Sequence, residues 1–243
     1  MSRTEPVISR TNTNNRLLKA LSDADLALLA PCLTAEPLAV RKTLEAPHKP
    51  IQTIYFMTHG IASVVATAEK NVQVEVGLIG CEGVTGLAVI LGSDRTPHHT
   101  YIQMEGAGFG MRAADLLRAM DESATLRRLL LRYAQAFTIQ ATHTAAANAR
   151  ATIEARLARW ILMAHDRVPG NEMRLTHEFL AVMLGVRRAG VSETIQALTR
   201  RGVIRSPKSG LIVMVDREAL KGIAGTFYGV PEREYDRLIA PKK

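Results

Sequence analysis

The chain has 243 residues, of which 47% are hydrophobic, and this apolar content excludes a largely disordered protein. The formal net charge is +8, but it is unevenly distributed: residues 1–149 carry +1 and residues 150–243 carry +7. The asymmetry favours a near-neutral domain joined to a domain that binds a polyanion. Basic surface that only keeps the protein soluble is the alternative.

The two cysteines, Cys32 and Cys81, are far apart and lack CxxC spacing, which excludes a disulfide framework and a four-cysteine iron–sulfur cluster. No apolar run reaches about 18 residues, the length that a transmembrane helix needs, and residues 1–15 lack an apolar signal region. We therefore expect a cytoplasmic protein with no membrane partner.

The first part of the chain predicts an arm, short helices and then strands. Residues 1–15 are polar and are expected to be mobile, and the leucine spacing of residues 16–33 predicts one or two short helices capped at Ser22. Segments rich in Val, Ile, Tyr and Thr predict strands at residues 51–57, 61–67, 72–78 and 100–104. Turns are predicted at residues 58–60 and 68–71.

The strand at residues 72–78 has a period of two. Val72, Val74, Val76 and Leu78 alternate with polar or small residues, which predicts that these four side chains share one buried face. Several short strands at close spacing are typical of an antiparallel sandwich or jelly-roll barrel.

Helical spacing begins near Arg112. It predicts a short helix at residues 113–120, a long one from about Ser123 into the alanine-rich segment 141–151, and a third at 151–168. The long helix has an apolar stripe that a small barrel cannot easily cover, which favours burial against its twin in a dimer. Packing within its own chain is the alternative.

Residues 175–210 have the pattern of a winged helix-turn-helix. Short helices are predicted at 178–184 and 187–201, where Ala181 allows close approach, Gly185 makes the turn and Val191 fills the angle between them. Ile195 and Leu198 continue the buried face of the second helix. Strands at 203–206 and 211–215 would form the wing.

The side chains predicted to contact DNA lie on the opposite face of the second helix, at the start of the first and at the wing tip. They are Thr176, His177, Arg187, Arg188, Ser192, Glu193, Gln196 and Lys208. An ordinary helical hairpin is the alternative, because it can have the same spacing of Ala, Gly and Val. It would not be expected to have the wing and the basic charge as well.

The segment LTHEFLAVMLGVRRAGVSETIQALTRRGVIR resembles the helix-turn-helix and wing of the Crp/Fnr family of bacterial transcription regulators, and residues 50–65 and 113–165 resemble its effector domain and dimer helix. The resemblance implies an α+β fold: a cyclic-nucleotide-binding-like, cupin-like jelly roll, a long dimerisation helix and a winged helix-turn-helix. It implies a homodimer on near-palindromic double-stranded DNA, with RNA polymerase and a small-molecule effector as candidate partners. The implied divisions are an arm at 1–15, a sensor at 16–121, a dimer helix at 122–150 and a DNA-binding domain at 151–243.

Carried over to this sequence, the resemblance makes Arg188 a base-reading arginine and Thr176 a helix cap that also touches phosphate. Ala189 replaces a glutamate common in the family, and Glu193 stands where some members have an arginine, so a different preferred DNA site is expected.

The sensor departs further from the cyclic-nucleotide-binding pattern. The turn that has Gly-Glu in nucleotide-binding members reads Gly86-Leu87, and the later Arg-Ser pair corresponds to His98-His99. Because Leu87 cannot accept a ribose hydroxyl and a neutral histidine replaces a bidentate arginine poorly, we expect no control by cyclic AMP in the usual way. The effector-pocket candidates are Gly86, Leu87, His98, His99, Thr100 and Thr142.

The sequence indicates no enzyme, cofactor or metal site. The GxGxG run at residues 106–110 lacks the context of a phosphate loop, no HxxxH or HExxH pattern places two histidines on one helix face, and Cys81 has no neighbouring base. Two other functions remain: a ligand-binding module whose winged helix contacts protein, and a cupin-like metal enzyme.

Overall fold

The computed structural model describes residues 8–68 and 72–240. The helices are α1 (Arg16–Ala20), α2 (Asp23–Leu29), α3 (Leu87–Ile90), α4 (Ala113–Glu122), α5 (Ala124–Arg150), α6 (Ile153–His165), α7 (His177–Leu184), α8 (Arg188–Arg200), α9 (Arg217–Ala224) and α10 (Val230–Ile239). The strands are β1 (Thr34–Leu38), β2 (Thr43–Glu45), β3 (Thr53–Thr67), β4 (Gln73–Ile79), β5 (His99–Arg112), β6 (Glu172–Arg174), β7 (Ile204–Lys208) and β8 (Leu211–Met214).

Part of the segment predicted as a mobile arm at residues 1–15 is anchored: Ile8, Thr13 and Asn15 are buried. Residues 1–7 lie outside the described part. Asn15 is fully buried and donates from Nδ2 to the carbonyl oxygens of Met57 (2.7 Å) and Gly83 (2.8 Å). Its Oδ1 also accepts from Leu18 N and caps α1. A buried side chain whose hydrogen bonds are satisfied anchors the segment that carries it.

The sensor is built on an antiparallel sheet in the order β1-β5-β3-β4, with β2 also paired to β5. The turn predicted at residues 58–60 is wrong, because β3 runs unbroken through it with irregular register against β5. Gly60 absorbs the irregularity at a φ of +82°, and a Cβ there would lie 2.7 Å from Gly106 Cα. The signal read as a turn is thus a bulge. Residues 69–71 of the other predicted turn lie outside the described part.

The burial predicted for β4 is wrong as well. Val72 is 59% exposed, whereas Glu75 is 3% exposed and Gly77 is buried. Helices cover the face that was expected to meet water: α5 and α7 both pack on β4, and a Cβ at Gly77 would lie 2.5 Å from the Phe137 ring. The alternating pattern predicted one buried face for β4, whereas the structure covers both faces.

Helix α5 begins just after Ser123, as the sequence predicts, and Ser123 caps it by accepting from Leu126 N. The apolar stripe that favoured a dimer is covered within the chain: Leu126, Leu130 and Tyr133 are at most 2% exposed. Part of the cover is α10, which packs along α5. The alternative of packing within its own chain is therefore correct for this stripe.

Helix α10, near the C-terminus, packs on the sensor and α5. Tyr235 Oη donates to the carbonyl oxygen of Glu82 at 2.6 Å, and Arg16 forms an ion pair with Asp236 at 2.6 Å. Tyr235 and Ile239 belong to the same buried cluster as the N-terminal helices.

The C-terminal domain packs α6, α7, α8 and α9 with a three-stranded sheet in the order β6-β8-β7. Its core does not end at the domain boundary. Ile61, Val65 and Leu78 of the sensor sheet belong to the same buried cluster as Trp160, Leu180 and the other core residues of this domain.

Candidate nucleic-acid interface

The turn between α7 and α8 forms as the sequence predicts. Thr176 caps α7 by accepting from Phe179 N at 3.2 Å, and Gly185 ends the helix at a φ of +59°. The left-handed conformation favours glycine, so the sharp change of direction needs this residue type at this position.

Helix α8 is held by one apolar face. Val191, Ile195 and Leu198 are at most 2% exposed, and α8 packs on both α6 and α7. Ala181 of α7 is 9% exposed and belongs to the same cluster. The small residue, the glycine and the aliphatic residue singled out in the sequence thus fix the angle between the two helices.

The outer face of α8 is free for a partner. Arg187, Arg188, Glu193 and Gln196 are exposed. Arg188 Nε lies 3.0 Å from Glu178 Oε1, but both side chains are more than 60% exposed. An ion pair so exposed is worth about 0–1 kcal/mol, so DNA can replace Glu178 as the partner of Arg188 at little cost.

His177 and Ser192, both predicted DNA contacts, are partners of each other. His177 Nδ1 and Ser192 Oγ are 2.8 Å apart, and both residues are half-buried. The bond joins the first turn of α7 to α8 and orients the start of α7 relative to the recognition face.

The wing lies beside the start of α7. Lys208 is exposed at the end of β7, and Gly210 turns the hairpin at a φ of +77°. A Cβ on Gly210 would lie 3.6 Å from Thr176 Cγ2, so the wing tip and the cap of α7 are neighbours. One phosphate-bearing surface can meet both.

The comparisons with known proteins agree with this geometry. A family model described as the Crp-like helix-turn-helix domain matches residues 155–223. The chain also resembles FixK2 from Bradyrhizobium japonicum (TM-score 0.70, 15% identity, covering 80% of this chain and 98% of that one). Comparison with curated protein sequences found no match.

Two structures from Thermus thermophilus share the fold. TTHB099, a transcriptional regulator of the CRP family, has a TM-score of 0.65 and 19% identity, covering 79% of this chain and 97% of its own. TTHA1359, a transcriptional regulator of the CRP/FNR family, has a TM-score of 0.57 and 19% identity, with coverage of 79% and 98%. Residues 155–223 therefore match a Crp-like helix-turn-helix domain, and the chain shares the fold of these Crp/Fnr structures. The resemblance to the Crp/Fnr family and the helix-turn-helix predicted from the sequence are thereby confirmed.

The effector-pocket candidates divide between different places. Gly86 precedes α3, and its N–H donates to Glu45 Oε1 at 2.7 Å; buried Thr100 also faces Glu45. His98 bonds to Thr96, and the exposed Thr142 bonds to the carbonyl oxygen of its own helix neighbour Ile139.

The two remaining candidates lie apart from Glu45. Leu87 is half-buried and packs on the cluster of the N-terminal helices. Adjacent residues of a strand point to opposite faces, so His99 lies on the face of β5 opposite to Thr100. His99 Nε2 is 3.1 Å from Thr43 Oγ1, and His99 lines a cleft that faces the wing.

Sequence reasoning missed Glu45, a carboxylate buried inside the sensor. Burial raises its pKa, and the hydrogen bond from Gly86 N opposes that rise. The signal was absent from the sequence because a charge in a short edge strand is usually exposed.

The buried polar contacts between the sensor and the helix-turn-helix domain were also missed. Trp160 Nε1 donates to Glu75 Oε1 at 2.6 Å, and Ser63 Oγ donates to Glu75 Oε2 at 2.6 Å. Arg167 of the C-terminal domain pairs with Glu82 of the sensor at 2.8 Å, with both side chains less than 10% exposed.

In residues 8–68 and 72–240, no group of three or more His, Cys, Asp or Glu side chains is placed to hold a metal ion. Burial raises the pKa of the Cys81 thiol, and the neighbouring Glu82 raises it further, which disfavours a reactive thiolate. Among these residues no helix combines the length and the apolar character needed to cross a membrane.

Proposed function

We propose that the protein reads near-palindromic double-stranded DNA as a homodimer, with α8 of each protomer in a major groove. The observation that carries this proposal is the two-faced packing of α8. Its apolar face is locked by α6 and α7, and its free face presents Arg187, Arg188, Glu193 and Gln196, which have the length and chemistry to reach base edges.

The dimer rests on a second stripe of α5, different from the one buried within the chain. Leu131, Gln135, Thr138 and Thr142 recur every three or four residues along α5 and are at least partly exposed, and Leu131 is 43% exposed. This spacing suits contact with an identical helix, and a two-fold axis would place two α8 helices on successive turns, about 34 Å apart.

The sensor is proposed to work without cyclic AMP in the usual way. Leu87 offers no acceptor for a ribose hydroxyl, and the backbone N–H of Gly86 already donates to the buried carboxylate of Glu45. A nucleotide phosphate that bound the N–H of Gly86 would have to displace Glu45 from it. The phosphate would also lie close to the carboxylate oxygen atoms of Glu45. Titration calorimetry that detects micromolar binding of cyclic AMP would refute this part of the proposal.

Selection from a random DNA pool by the purified protein tests the DNA-reading function. We expect a palindrome with half-sites one turn apart, and a log–log salt slope that steepens by about 0.9 for each phosphate neutralised. Failure to enrich any sequence, joined with weak and salt-independent binding, would favour a winged helix that contacts protein.

A further inference from the structure

A cleft of about 670 Å³ lies between the sensor sheet and the wing. His99, Tyr101 and Gln103 of β5 line its sensor wall, and Phe179 and Lys208 line the opposite wall. This volume is within the roughly 300–1,000 Å³ typical of small-molecule sites, and a cleft between two domains is a common place for them.

The walls of the cleft carry excess positive charge. Arg41, Arg174 and Lys208 line it and are exposed, and within the described ranges none of the three is in an ion pair. Glu172 is the acidic residue among those that line the cleft. The cleft therefore has three cations, which come from two domains, against one carboxylate. This excess of positive charge attracts an anion.

Both walls of the cleft carry aromatic rings. Tyr101 and Phe179 line it from the two domains, and the His99 ring lies against Tyr101 with ring centroids 5.0 Å apart and planes tilted by 45°. Burial lowers the pKa of His99, which favours its neutral imidazole. Such walls favour a flat, apolar body next to the charged group.

Gln103 supplies an unused polar group. Its side chain is more than nine-tenths buried, one end of its amide meets Ser63 Oγ, and the other end has no partner. Ser63 has a single hydroxyl proton and also faces Glu75, so it does not satisfy the whole amide. A buried amide end that is unpaired costs about 1–3 kcal/mol, and a ligand in the cleft can pair it.

We propose that this cleft binds a nucleotide-sized aromatic anion, with the ring between Tyr101 and Phe179 and the anionic group among Arg41, Arg174 and Lys208. The ligand bridges sensor and wing, and it occupies Lys208 and the neighbourhood of Thr176, which are expected to contact DNA phosphates when α8 reads DNA as proposed. Ligand and DNA therefore oppose each other, and the opposition is equal in both directions. This consequence rests on the proposed function, whereas the site itself does not.

The first experiment titrates the full-length protein with anilinonaphthalene sulfonate, a fluorescent aromatic anion. We expect saturable binding of one probe per chain and an affinity about tenfold weaker in Arg41→Ala and in Arg174→Ala, since each removes a charge-assisted bond. Lys49→Ala, which removes an exposed cation of the sensor away from the cleft, is the matched control and should bind as the parent does. Absent binding, or equal binding by all four proteins, would overturn the site.

The second experiment measures DNA affinity with and without saturating probe. The parent should lose DNA affinity by about fivefold or more, and Arg41→Ala should bind DNA normally but lose the effect of the probe. Probe binding that leaves DNA affinity unchanged would overturn the opposition. A protein that binds probe but no DNA would instead contradict the proposed function while the site stands.

Discussion

Arg188 is the residue on which sequence readout depends most. It stands in the first turn of α8, is 65% exposed on its side chain, and meets Glu178 only through a solvent-exposed ion pair. A guanidinium can pair with the O6 and N7 atoms of guanine through two parallel hydrogen bonds, which an ammonium cannot do.

We predict that Arg188→Ala weakens specific binding by about 1–3 kcal/mol and relaxes one base position of the half-site. Arg188→Lys keeps the charge and should relax the same position, with less loss on unrelated DNA. Affinities measured on single-base variants of the selected site check this. An equal loss on every sequence would identify Arg188 as a phosphate contact.

Glu75 is a buried acid at the junction of the two domains. Removal from water raises its pKa to about 7, against the lowering effects of bonds from Ser63 and Trp160 and of the positive charges of Arg159 and Arg167. Between about pH 4.5 and pH 7, the folded protein therefore holds a proton that the unfolded chain releases.

The sign of the pH dependence follows. A raised folded pKa contributes stability that is complete below the unfolded value and is lost as pH rises through about 7. We predict that the free energy of unfolding of the parent falls relative to that of Glu75→Gln over this window, by at most about 3 kcal/mol. Urea unfolding of both proteins over a series of pH values measures the difference. Parallel curves would show that Glu75 stays ionised.

At the scale of elements, the angle between α7 and α8 depends on Val191, which is fully buried. Val191→Asp would bury an unpaired charge, and we predict a loss of several kcal/mol of stability together with loss of DNA binding. Val182→Asp is the control, because Val182 lies on the neighbouring α7 and is 39% exposed. Thermal unfolding separates the two variants, and equal melting temperatures would contradict the packing assignment.

The exposed stripe of α5 gives a sharper test of the dimer. Leu131 on α5 and Leu117 on α4 are both 43% exposed in the single chain. Leu131→Glu should shift the protein towards monomer, because it sets two like charges against each other at a two-fold axis, whereas Leu117→Glu should not. Sedimentation at several concentrations decides, and a dimer that tolerates Leu131→Glu would place the interface elsewhere.

The elements that local signals specify were predictable from the sequence. The caps at Ser22 and Thr176, the start of α5 near Ser123 and the turn at Gly185 depend on neighbours within a few residues, and all four form as expected. Prediction failed where a distant segment decides the outcome.

Three failures show this dependence on distant segments. Gly60 is a bulge because Gly106 of another strand approaches it, and Glu75 is buried because a second domain covers β4. The stripe of α5 is covered by α10, which follows it by some eighty residues. No local period carries this information.

At the scale of the molecule, the sensor and the helix-turn-helix domain share one interior. Ile61 and Leu78 of the sheet lie in the same cluster as Trp160, and two buried polar contacts, Trp160 to Glu75 and Arg167 to Glu82, cross the junction. Removing one member of a buried ion pair costs about 3–5 kcal/mol, so separating the domains would be expensive. Any signal in the sensor therefore acts on a body to which α7 and α8 are already attached.

We predict that the two domains unfold as one unit. Trp160 is the single tryptophan of the chain, and its emission reports the junction while far-UV circular dichroism reports all helices. At a fixed protein concentration, the two urea transitions should coincide.

Leu18→Ala provides the decisive variant, because Leu18 is fully buried in the separate cluster of the N-terminal helices and should cost about 2–5 kcal/mol. In a single cooperative unit, this distant change lowers the Trp160 midpoint as much as the dichroism midpoint. In two independent units, it leaves the Trp160 midpoint where it was, and the winged domain would then be free to move on the sensor without unfolding it.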